Sequence, residues 1–147
     1  MPRLDVRVRN LSSLQAKVKR LDWGIQASVV TALRGLSGPI ENDIKSELRK
    51  PKSGRVVTRY RPLRQVKVSR PYEPPAKDLG LLVNSVEVEV DPTQFNLVIS
   101  AAAPYARELE YGTKNMLPRP FLRPALTRWR GRIIDAIHRS IKGGLDV

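Results

Sequence analysis

The sequence predicts an α+β fold: a small antiparallel β-sheet packed by a long N-terminal helix and a C-terminal helix. Three patterns predict it. From Leu14 to Leu48, apolar residues recur every three or four positions, which lays one apolar stripe along a helix. Val86, Val88 and Val90 alternate with Glu87 and Glu89, and Phe95, Leu97 and Ile99 return after Asp91-Pro92-Thr93-Gln94. Period two on both sides of turn chemistry marks a hairpin. Leu122, Leu126, Trp129, Ile133, Ile137 and Ile141 again follow helical spacing.

The chain opens with Leu4, Val6 and Val8 alternating with Asp5, Arg7 and Arg9, a short strand by the same period. Asn10 or Ser12 then offers an oxygen to cap a helix. The stripe that follows is Leu14, Val18, Leu21, Ile25, Val29, Leu33, Leu36, Ile40, Ile44 and Leu48. Gly35 and Gly38-Pro39 interrupt it, because proline removes a donor and restricts its predecessor. Either a kink or two consecutive helices with one buried face is expected there. Residues 50–77 form a proline-rich, basic arm inserted between that helix and the sheet. Within it, Val56-Val57-Thr58 and Val66-Lys67-Val68 pair as a hairpin, or the segment is mobile until it meets a partner. A connection of this length inside a compact domain is often functional. Asp78 is placed to cap a short turn through Leu79-Gly80-Leu81-Leu82. After the hairpin, residues 104–111 read as a short helix stopped by Gly112 in the left-handed conformation. The last helix begins between Arg119 and Arg123, with Pro120 or Pro124 in its first turn. Gly143-Gly144 is expected to end it, with Arg128, Arg132, Arg139 and Lys142 opposite the apolar stripe.

At 147 residues, one domain spanning 1–147 is expected, large enough to bury about two-thirds of the surface its unfolded form exposes. No repeat or linker divides it. The chain has no cysteine, which excludes disulfides, cysteine-based zinc sites and thiol catalysis. No apolar run reaches the roughly 20 residues of a membrane helix, and Met1-Pro2-Arg3-Leu4-Asp5 lacks the apolar core of a signal peptide. The expectation is a soluble protein assembled in a cytoplasm, with no membrane partner. The net charge of +13 and pI near 10.8 point to a polyanion or an acidic protein nearby. That charge is concentrated. Lys50, Lys52, Arg55, Arg59, Arg61, Arg64, Lys67, Arg70 and Lys77 stand against Glu73 alone, a local balance of +8.

No catalytic constellation emerges. His138 is the only histidine and has no histidine or cysteine partner, so neither a metal site nor a cofactor is expected. Glu108 and Glu110 diverge on a helix, which makes a poor acid–base pair. Gly35-Leu36-Ser37-Gly38 lacks the Gly-Lys-Ser/Thr ending of a phosphate loop. The arm residues Lys50, Lys52, Arg55, Arg59, Arg61, Arg64, Lys67 and Arg70 either face DNA phosphates or simply keep a flexible loop solvated. Tyr60 and Tyr72 lie among them, but no base-reading fold does, so any DNA binding is expected to be non-specific and steeply salt-dependent.

Pro104-Tyr105-Ala106-Arg107-Glu108-Leu109-Glu110-Tyr111-Gly112-Thr113 and Pro118-Arg119-Pro120-Phe121-Leu122-Arg123-Pro124-Ala125-Leu126 gather aromatic, acidic and rigid residues in one short span. Tyr105 and Tyr111 over a sheet edge, with prolines as stiffeners, explain each residue singly. A rigid loop with aromatic and arginine anchors also suits a protein interface, since little entropy is lost on docking. On that reading Tyr105, Glu108, Glu110, Tyr111, Gly112 and Thr113 form the docking loop. Phe121 and Leu122 anchor it to the core. Arg119 and Arg123 pair with Glu108 or Glu110, in the same subunit or the next.

These two runs, preceded by Asp78-Leu79-Gly80-Leu81-Leu82-Val83-Asn84-Ser85-Val86, stand in the order found in one family. The chain resembles the neck and tail-completion (head–tail joining) proteins of long-tailed bacteriophages over residues 78–142. Leu79 stands where that family usually has threonine, and the basic arm is longer and more charged than the family pattern. The resemblance implies a structural virion protein rather than an enzyme. It implies a homo-oligomeric ring, hexameric or dodecameric, that completes the tail and joins it to the head connector around the DNA channel. Its implied partners are copies of itself, head-closure or connector proteins, tail terminator or tail-tube proteins, and packaged double-stranded DNA. A tail-tube terminator and a non-specific nucleic-acid-binding protein are the alternatives.

Overall fold

The computed structural model describes residues 3–145. Its elements run β1 (Leu4–Arg7), α1 (Ser12–Lys19), α2 (Trp23–Arg49), β2 (Val56–Tyr60), β3 (Leu63–Lys67), α3 (Leu81–Asn84), β4 (Val86–Asp91), β5 (Asn96–Ala101), α4 (Ala106–Tyr111) and α5 (Leu122–Leu145). The architecture is α+β, as the periodicities predict.

The main sheet is antiparallel in the order β1-β5-β4. Its register aligns Leu4, Ala101 and Val86 across one line and Val6, Ile99 and Val88 across the next. These side chains share one face because strand side chains alternate. That face packs against the buried stripe of α2, from Ile25 to Leu48, and that of α5, from Leu122 to Ile137. The other face is polar. Arg3 reaches Glu87 at 2.9 Å and Ser100 beside it, and Arg7 lies 3.8 Å from Asp91.

The N-terminal helix breaks at a different place from the one expected. The interruption falls at Arg20–Asp22, and α2 runs without a break through Gly35, Gly38 and Pro39. Two local devices make the early break. Asp22 caps α2 by accepting from the Gly24 N–H at 2.9 Å. The Gln26 amide donates to the carbonyls of Val18, Lys19 and Leu21, occupying the loose end of α1. Pro39 and Gly35 both lie on the exposed face. The hydrogen bond that Pro39 cannot donate is thus lost on the side where water reaches the Gly35 carbonyl, while Leu33, Ile40, Ile44 and Leu48 keep packing beneath.

Three smaller expectations also change. Neither Asn10 nor Ser12 caps α1; buried Leu11 occupies the cap position, and Asn10 turns the chain with φ of 61°. Asp78 does not cap α3. Gly80, at φ of 85°, takes that position. Gly143-Gly144 does not end α5, which continues to Leu145. Gly144 instead lets α5 approach α2: a Cβ there would lie 2.6 Å from Ile25 Cγ1. At the opposite end of the helix pair, Asp43 accepts from Arg128 at 2.8 Å and from Trp129 Nε1 at 3.0 Å. The helices are therefore antiparallel and fastened at both ends. Burial pushes the Asp43 carboxyl up, but those two hydrogen bonds outweigh it and hold the group below its ordinary value. Arg132 is exposed, as expected, and its guanidinium lies over the Trp129 ring at 4.7 Å.

The arm takes the hairpin form. β2 and β3 pair antiparallel, with Val57 opposite Val66 and Tyr60 opposite Leu63, and the Arg61–Pro62 bond at the tip is cis.

Candidate functional site

α4 and the loop that follows it build one surface. Thr113 and Met116 form a bridge, and the Arg119 N–H donates to the Leu109 carbonyl at 2.7 Å, folding the loop back on the helix. Gly112 ends α4 by donating to the Glu108 carbonyl at 2.8 Å. Its φ is 77° but its ψ is 176°, so it is an extended turn residue and not the left-handed cap expected. A Cβ at this position would meet the Met116 carbonyl oxygen at 2.7 Å; only glycine fits.

Glu110 is the principal correction. It is fully buried, not part of an exposed docking loop. Its carboxylate accepts from the backbone N–H groups of Phe121, Leu122 and Arg123 at 2.8, 3.0 and 2.9 Å, and from Arg123 Nε at 3.2 Å. Those amides open α5 and have no partner within the helix. Glu110 therefore caps a helix from eleven residues away in sequence. Charge reversal there would set a buried cation against the α5 amides and is expected to destabilise the fold, so it is no clean probe of docking. Phe121 is buried in the core, as its anchoring role requires, and so presents nothing to a partner. Arg123 is the partner of Glu110 in the same chain, and its guanidinium lies 4.7 Å over the Tyr111 ring. Tyr105, Glu108, Tyr111, Thr113 and Arg123 remain on the surface. Arg119 is only part-buried and turns toward the arm's base.

The basic arm divides into bound and free cations. Lys52 is buried and donates to the Glu47 carbonyl at 2.7 Å. Burial pushes its ammonium pKa down, against the pull of Glu73 and Glu47. Lys50 pairs with Glu47. Arg64 grips Asp78 with both ends of its fork, at 2.6 and 2.7 Å, and Arg59 lies 3.9 Å from the same carboxylate. The Arg64 hydrogen bond, foremost, holds Asp78 below its ordinary value. Arg55, Arg61, Lys67 and Arg70 are exposed and, among the described residues, have no carboxylate within 4.0 Å.

The arm is also pinned at its base. Glu73 accepts from the N–H groups of Arg70 and Ser53 and from the Ser53 hydroxyl, at 2.8, 3.0 and 3.1 Å. These bonds, the Arg70 amide first, keep its carboxyl below the usual range. The Tyr72 N–H donates to the Pro118 carbonyl at 2.8 Å, tying the arm to the loop after α4. Neither the Asp78 clamp nor the Glu73 cage was anticipated. The one available signal was that these two carboxylates are the only acids from residue 50 to residue 78.

Large apolar side chains are left uncovered on this framework. Tyr60 and Leu63 at the arm's tip are 79% and 74% exposed, and Leu79, Leu81, Tyr105 and Tyr111 are exposed nearby or along α4. Among the described residues, no three His, Asp or Glu side chains gather as a metal site would require, and no helix is long and apolar enough to cross a membrane. No family model, curated protein or solved structure matches the chain.

Proposed function

We propose that this chain is a structural protein of the phage neck: a ring, six- or twelvefold, that completes the tail and joins it to the head connector around the DNA channel. The observation that supports this best is the uncovered apolar set on a pinned support. Tyr60 and Leu63 project on a hairpin whose base is held by Glu73 and the Tyr72–Pro118 hydrogen bond and whose Arg59–Arg64 pair, next to the tip, is held by Asp78. Apolar groups on a pre-ordered support dock with little loss of entropy, and contiguous exposed apolar surface marks interaction sites. Copies of the chain and the neighbouring connector, terminator or tube proteins are the partners this reading assigns. The free cations Arg55, Arg61, Lys67 and Arg70 suit weak, sequence-independent contact with DNA in transit. Its place is the virion, and no catalytic step is assigned to it.

Electron microscopy of lysates from a virus lacking this protein tests the reading. Filled heads accumulating beside finished tails support it. Overlong or unstable tails favour a terminator of the tail tube. Intact infectious particles overturn it and bring forward a free, non-specific nucleic-acid-binding protein.

A further inference from the structure

Between the base of the arm, α3 and α4 lies a cavity of about 400 Å³, within the roughly 300–1,000 Å³ typical of ligand sites. Its floor is apolar, formed by Leu48, Val68, Leu82 and Leu109. Two polar groups on its wall are anomalous. The Ser69 hydroxyl and Arg119 Nε are both buried and have no hydrogen-bond partner. Ser69 as a residue is 2% exposed. Unpaired buried donors are rare, and each calls for a reason. Here they share one cavity. The charged groups around it are Arg59, Lys77 and Arg119 against Asp78, and both Asp78 oxygens are already taken by Arg64. The cavity therefore has two unpaired donors sealed just behind its wall and surplus positive charge over an apolar floor.

We infer that this cavity binds a carboxylate side chain from an extended peptide segment of a partner protein, seated beside an aliphatic neighbour in that segment. A carboxylate is an acceptor with two oxygens; rotation of the Ser69 and Arg119 side chains into the cavity lets the hydroxyl and Nε share it, and the hydrogen bond from the guanidinium is charge-assisted. The aliphatic neighbour fits the Leu48–Leu109 floor. A peptide, as opposed to a small acid, is indicated by the rim: exposed Leu79, Leu81 and Tyr105 line the same opening and extend apolar surface beyond it. Leu109 belongs to the floor and its carbonyl accepts the Arg119 N–H, so an occupant would also brace the loop after α4. The site stands on its own geometry and is independent of the neck reading.

The test is NMR titration of the isotope-labelled 147-residue chain with two capped tripeptides, acetyl-Leu-Glu-Leu-amide and its Gln analogue. The expected result is a set of saturating shifts at Ser69, Leu82, Leu109 and Arg119 with the Glu peptide, at a Kd below about 1 mM. The Gln peptide is expected to bind at least tenfold more weakly. Arg119→Gln abolishes that preference, while Ser69→Ala weakens binding of the Glu peptide. Equal affinity for the two peptides overturns the proposal. So do shifts spread over Arg55, Arg61 and Lys67, which report general attraction to a basic surface. Absence of shifts also overturns it and leaves a hydrated packing defect. If Arg119→Gln fails to fold, the comparison of the two peptides on the unaltered chain decides alone. Because the isolated chain is used, either outcome leaves the lysate experiment to judge the neck reading separately.

Discussion

Glu110 and Glu108 differ by two positions and have opposite fates. Glu108 is exposed; Glu110 is sealed beneath the start of α5. A carboxylate at a helix N-terminus satisfies orphan amides and sits favourably in the helix dipole. Burial makes the arrangement unforgiving, because removing one partner strands the others without water. Glu110→Ala is expected to cost about 3–5 kcal/mol of folding stability, in the range for breaking a buried ion pair, read from urea unfolding. Glu110→Gln keeps one carbonyl oxygen and is expected to cost less, about 1–3 kcal/mol. Equal stability of the Ala variant and the parent would contradict the capping role. Which of the two glutamates turns inward was hidden in the sequence. α4 has only six residues, too few for a repeating pattern to set its phase.

At the scale of elements, the arm's order depends on carboxylates held below their ordinary pKa. Hydrogen bonds from Arg64 lower Asp78, and those from Arg70 and Ser53 lower Glu73. A depressed carboxyl favours the folded form above its unfolded pKa, about 4, and that contribution is lost as pH falls through the lower folded value. The arm is therefore expected to loosen below about pH 4. Both groups are solvent-accessible, so screening keeps the effect on global stability small; the readout is local. Amide protection across 56–67, taken against the intrinsic exchange rate at each pH, should fall in acid, and Asp78→Asn should bring that loss of protection to neutral pH. Unchanged exchange in that variant would show that β2 and β3 hold themselves. The elements with strong periodicity, α2, β4, β5 and α5, were legible because their stripes are long. The helix break was not, because Gln26 and Asp22 act through hydrogen bonds that hydrophobic spacing does not record. Pro39 misled because its cost depends on which face it occupies. Gly144 misled for a related reason: a glycine near a helix end resembles a stop until Ile25 is placed against it.

For the whole molecule, the 27 Lys and Arg side chains are less available than their number suggests. Lys50, Lys52, Arg59, Arg64, Arg123 and Arg128 are engaged within the chain. On the proposed neck function, replacing Arg55, Arg61, Lys67 and Arg70 together by Ser is expected to leave ring assembly intact while reducing the salt dependence of DNA retention. The log–log slope should fall by about 3–4, at roughly 0.9 per phosphate contact, in a filter-binding series across salt concentrations. An unaltered slope would remove DNA from the arm's role. The fastening of α2 to α5 at both ends, with β1 paired to β5 as well, has a further consequence during synthesis. The first third of the chain finds its cover in segments made after residue 80: α3, β4 and β5, and then α5. Closing such long loops delays the reward for ordering them, so a nascent chain carries the α2 stripe only partly covered until α5 emerges from the ribosome. Folding of α2 is thus expected to wait for α5, with chaperone dependence in the cell, and a chain cut short before α5 should aggregate.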